Sequence, residues 1–142
     1  MYLKKILLVY AITLLSFGKT IDLTNEIYEN AIHEHCSSSS SATIYVLKCP
    51  DIELPTKIGN QNIVNIENLT KFMKGRKSTN VLKVMPLRVD EANIIVGMID
   101  YLVVKKANGE IFMNNSGGEE IFYKYDEKCH CYKLISRKKN SI

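Results

Sequence analysis

Residues 81–125, VLKVMPLRVDEANIIVGMIDYLVVKKANGEIFMNNSGGEEIFYKY, decide the fold class. β-Branched and aromatic residues dominate this stretch, and polar turn clusters cut it at short intervals. It reads as strands over Val81 to Val89, Ile94 to Lys105, Glu110 to Met113 and Glu119 to Tyr125, with a further strand over Tyr132 to Ser136. Asp90 to Asn93, Asn108-Gly109 and Asp126 to Lys128 carry hairpin chemistry, while Ser116-Gly117-Gly118 permits a wider bend. Connections this short predict an antiparallel meander. Ile121, Tyr123 and Tyr125 alternate with Phe122 and Lys124, so one face of the sheet meets the core and the other meets water.

Upstream, Leu23, Ile27 and Ala31 recur four apart, and Tyr28 and Ile32 widen the stripe, which predicts a helix from Asp22 to His35. Five serines, Ser37 to Ser41, end it, because short hydroxyl side chains compete for backbone hydrogen bonds. Thr43 to Lys48 (TIYVLK) reads as a strand, and an edge strand there would offer a pairing surface for a homodimer. Lys57-Ile58, Gly59-Asn60 and Gln61 to Val64 predict a small hairpin. A short helix capped by Asn65 follows, with Ile66, Leu69, Phe72 and Met73 on one face and Gly75 past its end. The two helices are the natural cover for the sheet's apolar face.

The first residues predict export. Lys4 and Lys5 precede an apolar run from Ile6 to Leu15, and Ser16-Phe17-Gly18 follows, the order of a cleavable signal peptide. The run is shorter than the roughly 20 residues a membrane-spanning helix needs. Cleavage after Gly18 leaves residues 19–142 as one α+β domain with no membrane span, secreted or periplasmic. The leader takes two of the 19 basic residues and none of the 15 acids, so the net charge falls from +4 to 17 − 15 = +2. Apart from Arg137-Lys138-Lys139 that charge is dispersed, which argues against nucleic acid as a partner.

Four cysteines in an exported chain predict disulfides. The favoured pairing joins Cys36 to Cys49 across the serine loop, worth roughly 3 kcal/mol by chain entropy, and Cys129 to Cys131 across a bent turn; the two crossed pairings are the alternatives. The competing reading is a zinc or copper site, because His33, His35 and Cys36 form one cluster and Cys129, His130 and Cys131 another. The spacing opposes it: residues two apart on a helix diverge, and His130 on a strand faces away from its neighbours. Catalysis comes third. Asp90-Glu91 sit in a turn, Glu119-Glu120 open a strand where charge serves solubility, and no nucleophile, base and orienter can be assembled. Tyr101, Tyr123, Tyr125 and Tyr132 read as cross-strand packing.

A helix followed by a curved antiparallel sheet resembles the cystatin-like and NTF2-like α+β rolls. The whole chain, leader included, also resembles the small exported proteins common in Bacteroidota. The Gln-x-Val-x-Gly hairpin of the cystatin inhibitors is absent, so protease inhibition is not implied, and no residue pair here matches the acid–base pair of the roll enzymes. The expectation is a non-catalytic binding or interaction domain for a protein or small-molecule ligand, with no cofactor.

Overall fold

The computed structural model describes residues 23–140; the expected leader lies outside them. Helix α1 spans 23–36. The remaining elements are β1 Thr43–Leu47, β2 Lys57–Ile58, β3 Gln61–Ile66, α2 Leu69–Phe72, β4 Ser78–Val84, β5 Arg88–Asp90, β6 Asn93–Lys105, β7 Ile111–Asp126 and β8 Cys131–Lys139. The strands form one eight-stranded sheet ordered β2-β3-β1-β4-β6-β7-β8, with β5 paired to β6. The class is α+β. Among the described residues no helix is long and apolar enough to cross a membrane.

The antiparallel meander is present as β4-β6-β7-β8, joined by short connections. The sheet as a whole is mixed, because β1 runs parallel to both β3 and β4. β1 is therefore an interior strand, which corrects its assignment as an edge. Its alternation of half-buried and buried residues is explained by helices on both faces, and its backbone groups are used on both sides.

α1 covers one face of the sheet and α2 lies against the other. Ile27, Tyr28, Ala31 and Ile32 pack with Ile44, Val46, Leu82, Val84, Val96, Met98, Ile121 and Tyr123. On the opposite face Tyr45, Leu47, Val81, Tyr101, Val103 and Ile111 gather with Ile66, Leu69, Phe72 and Met73. Tyr28 Oη accepts the Leu87 N–H at 2.9 Å, and Tyr123 donates its hydroxyl to Asn30 Oδ1 at 2.9 Å, so the buried phenols tie α1 to the sheet at both edges of its stripe.

Several element boundaries differ from the sequence expectation. α2 is a single turn whose cap is Asn68, its side chain accepting the Lys71 N–H at 2.9 Å, while Ile66 ends β3. Met85-Pro86-Leu87 divides the expected strand into β4 and β5, since proline supplies no N–H to a ladder. Most consequential, Ser116-Gly117-Gly118 does not interrupt the sheet. Asp100 pairs with Gly117 and Tyr101 with Asn115, leaving Ser116 as the extra residue of a β-bulge inside one long strand. A second bulge leaves Ile135 unpaired, since Phe122 faces Ser136 and Tyr123 faces Leu134.

Each bulge shifts side-chain parity by one. Ile111 packs on the α2 face, yet Glu119, Ile121 and Tyr123, also odd-numbered, sit opposite Met98, Val96 and Ile94 and point toward α1. In β8, Tyr132 packs toward α1 and so does Arg137, five residues on. Without the extra residue their parity would be opposite. Gly118 is required where the bulge draws β7 against β6: its φ is +154°, and a Cβ would collide with the Met98 carbonyl oxygen.

Candidate functional site

The stripe of α1, continued one turn past Ala31 and Ile32, places His35 and Cys36 on the buried side at the helix C-terminus. His35 thereby meets β6 and β7 at the Ser116 bulge. Its Nδ1 lies 2.6 Å from Glu119 Oε1 and its Nε2 lies 2.9 Å from Asp100 Oδ1. Ionised carboxylates only accept hydrogen bonds, so a ring placed between two of them suits an imidazolium that donates from both nitrogens. Burial works against that charge, but the bonds to Asp100 and Glu119 outweigh it and raise the pKa above 6.5.

Glu119 is the anchor, with only 2% of its side chain exposed. Arg137, brought round by the β8 bulge, grips both of its oxygens, Nε to Oε2 at 2.9 Å and Nη2 to Oε1 at 2.7 Å, the planar fork that suits a carboxylate. Burial favours the protonated acid; Arg137 and His35 overcome it and hold the carboxyl below its ordinary 4.5. Glu34, one residue before His35, adds a looser contact to Arg137 Nη1 at 3.6 Å. No buried side-chain polar atom lacks a partner among the described residues.

This network forms the floor of a cavity of about 600 Å³. Ser38, Ser39 and Ser41 of the loop after α1 form one wall, and Tyr45, Asn80 and Ser116 extend the lining along the sheet. The serine tract is thus the cavity rim as well as a connection. Asp100 keeps 42% of its side chain exposed. Its Oδ1 is held by His35, and its Oδ2 has no hydrogen-bond partner among the described residues, so the wall presents a free carboxylate oxygen. Cys36 also lines the cavity, but burial, reinforced by the Asp100 and Glu119 charges, pushes its thiol up to about 11. It is a neutral thiol at physiological pH and not a ready nucleophile.

The expected disulfides divide. Cys129 and Cys131 are joined, with Cα atoms 5.2 Å apart. Cys36 and Cys49 are free thiols, so the bridge expected between them is absent. β1 runs back along α1 after the serine loop and carries Cys49 to the vicinity of Tyr28, two helical turns before Cys36. Cys36 stays beside Asp100 and Glu119.

The two histidine-cysteine clusters also separate. His33 is exposed and packs beside Gly59, and His35 faces the cavity. Cys129, His130 and Cys131 form the tip of the β7–β8 hairpin, seven residues along β7 from Glu119 and on the order of 20 Å away at strand rise. Among the described residues no group of three or more His, Cys, Asp or Glu side chains could hold a metal ion. Sequence reasoning missed Asp100, Glu119 and Arg137. Glu119 in particular was assigned to the surface, and the bulge turns it inward.

The tip disulfide closes a loop of three residues, for which chain entropy gives only about 1.5 kcal/mol. His130 between the two cysteines has φ +51°, a left-handed conformation costing roughly 1–2 kcal/mol for a residue with a Cβ. The two contributions nearly cancel. The β7–β8 ladder itself runs up to the pair Asp126 and Cys131, supported by the Tyr125–Tyr132 ring contact at 5.3 Å.

No family model matches the chain, and neither does any curated protein. A solved structure of a protein from Catenulispora acidiphila aligns with 96% of this chain and 93% of its own at 13% identity and a TM-score of 0.28, too low to carry an argument.

Proposed function

We propose that the protein is an exported, non-catalytic binding domain that takes a small polar molecule into the cavity between α1 and the β6–β7–β8 bend. The observation that carries this reading is the His35–Glu119 ion pair, largely withdrawn from water at the cavity floor, with the partly exposed Arg137 and Asp100 bonded to it. Burying ions is expensive unless each is paired, and replacing such a group with packed apolar residues is often neutral or stabilising. Its placement at the base of an open cavity is explained by a ligand. The free Asp100 oxygen and the surrounding hydroxyls suit a molecule carrying hydrogen-bond donors, such as a polyol, an amino sugar or a small amine.

The same geometry favours binding over catalysis. Both His35 nitrogens are committed to carboxylates, Arg137 is neutralised by Glu119, and Cys36 holds its proton. Export is supported by the Lys4-Lys5, Ile6 to Leu15 and Gly18 pattern and by the Cys129–Cys131 disulfide. The finer fold reading, a cystatin-like or NTF2-like roll, is supported by a long helix packed on a sheet whose bulges bend it.

Calorimetric titration of the oxidised protein with polyols, amino sugars, amino acids and small amines tests the reading. Saturable binding of one class is expected, weakened about tenfold or more by Asp100→Asn, since a hydrogen bond to a charged group contributes roughly 1.5–3 kcal/mol. Binding that ignores Asp100→Asn, or no binding by any class, contradicts it.

A further inference from the structure

The Cys129-His130-Cys131 tip lies apart from the cavity and calls for its own explanation. Cys129 is exposed and Cys131 half-buried. Their bridge spans only three residues, holds His130 in a left-handed conformation, and caps a hairpin whose ladder and aromatic pair are complete up to it. A staple would close a long loop or join distant elements; this one does neither. Exposed, poorly stabilising disulfides are the ones that exchange readily with thiols.

Beside the tip a hollow of about 470 Å³ opens, lined by Tyr125, Asp126, Lys128, Lys133 and Ile135. The Tyr125 hydroxyl lies 3.2 Å from His130 Nδ1, so the ring is held toward Tyr125. The hollow, with apolar and charged parts, adjoins the hairpin tip through Tyr125, Asp126 and Lys128, although neither cysteine lines it.

We propose that Cys129 and Cys131 form a thiol–disulfide exchange site whose substrate is a dithiol. A thiolate of the dithiol attacks Cys129 Sγ, the more accessible sulfur. The Cys129–Cys131 bond breaks, and Cys131 departs as a thiolate that takes up a proton. The dithiol's second thiol, losing its proton, then attacks its own sulfur in the mixed disulfide and releases Cys129. The dithiol leaves oxidised by two electrons, and the tip is left as two thiols. This activity is independent of the cavity.

The test equilibrates the full chain in buffers of graded reduced-to-oxidised glutathione ratio, quenches with an alkylating reagent, and maps the four cysteines by mass. Cys129 and Cys131 are expected to pass from bridged to fully alkylated within the series while the far-ultraviolet spectrum stays unchanged. A Cys131→Ser chain should form a glutathione adduct on Cys129 and react with the alkylating reagent about tenfold or more faster there than at Cys36, since Cys129 is exposed and Cys36 buried. A bridge that stays closed across the series, a reduction that unfolds the chain, or a Cys129 no more reactive than Cys36 overturns the proposal.

Discussion

The two ends of the β7–β8 ribbon each carry a concentrated polar cluster, and the two are built in opposite ways. At one end Glu119 is buried and bonded by Arg137 from the neighbouring strand and by His35 from a helix 84 residues earlier in the chain. At the other, Cys129, His130 and Cys131 are contiguous, the first two exposed and Cys131 half-buried, and bonded to themselves and to Tyr125. The first cluster couples three distant elements and is predicted to support the fold. The second is local, and the fold is predicted to be nearly indifferent to it. Tertiary coupling, rather than the density of reactive residue types in the sequence, separates them.

Breaking the buried cluster should give the largest effect. Arg137→Met leaves the buried Glu119 with His35 as its remaining partner, and a loss of about 2–3 kcal/mol is expected in urea unfolding, the scale of hydrogen bonds to a charged group. A loss near zero would mean that the network is already solvated. Gly118→Ala sharpens the comparison through the backbone. The added Cβ meets the Met98 carbonyl at the bulge, and a destabilisation of about 2 kcal/mol is expected, whereas Gly109→Ala, at a turn with open space, should cost less.

The pH dependence has a definite sign. His35 has its pKa raised on folding, so its contribution is complete below 6.5 and is lost as pH climbs through the higher folded value. Glu119 has its pKa lowered, so its contribution is complete above 4.5 and is lost as pH falls through the lower folded value. Stability should therefore be greatest between about pH 4.5 and 6.5, and His35→Gln should flatten the alkaline limb in melting curves across pH. The smallest effect belongs to the exposed cluster: reducing Cys129–Cys131 should change unfolding free energy by under about 1 kcal/mol, because loop closure and the left-handed His130 oppose each other.

Much of the fold was legible in the sequence. The α1 stripe, the Lys57 to Val64 hairpin and the run of antiparallel strands after Ser78 all follow from periodicity and turn chemistry. The parallel pairing of β1 did not follow, because a short apolar run looks alike at an edge and in the interior. The site was legible only in part. Extending the α1 period to His35 would have placed it inward, but Glu119 and Arg137 reach it through bulges at Ser116 and Ile135 that reverse the alternation. Gly117-Gly118 was the available signal: paired glycines within an otherwise strand-like sequence mark a bulge as well as a bend.

The central claim, that His35 stands as an imidazolium between Glu119 and Asp100, is tested most directly by nitrogen NMR of the imidazole rings across pH. The account predicts both His35 nitrogens protonated at neutral pH, with a midpoint above 6.5 that falls in Asp100→Asn. A His35 ring that is neutral at pH 7, or a midpoint unmoved by Asp100→Asn, would contradict it.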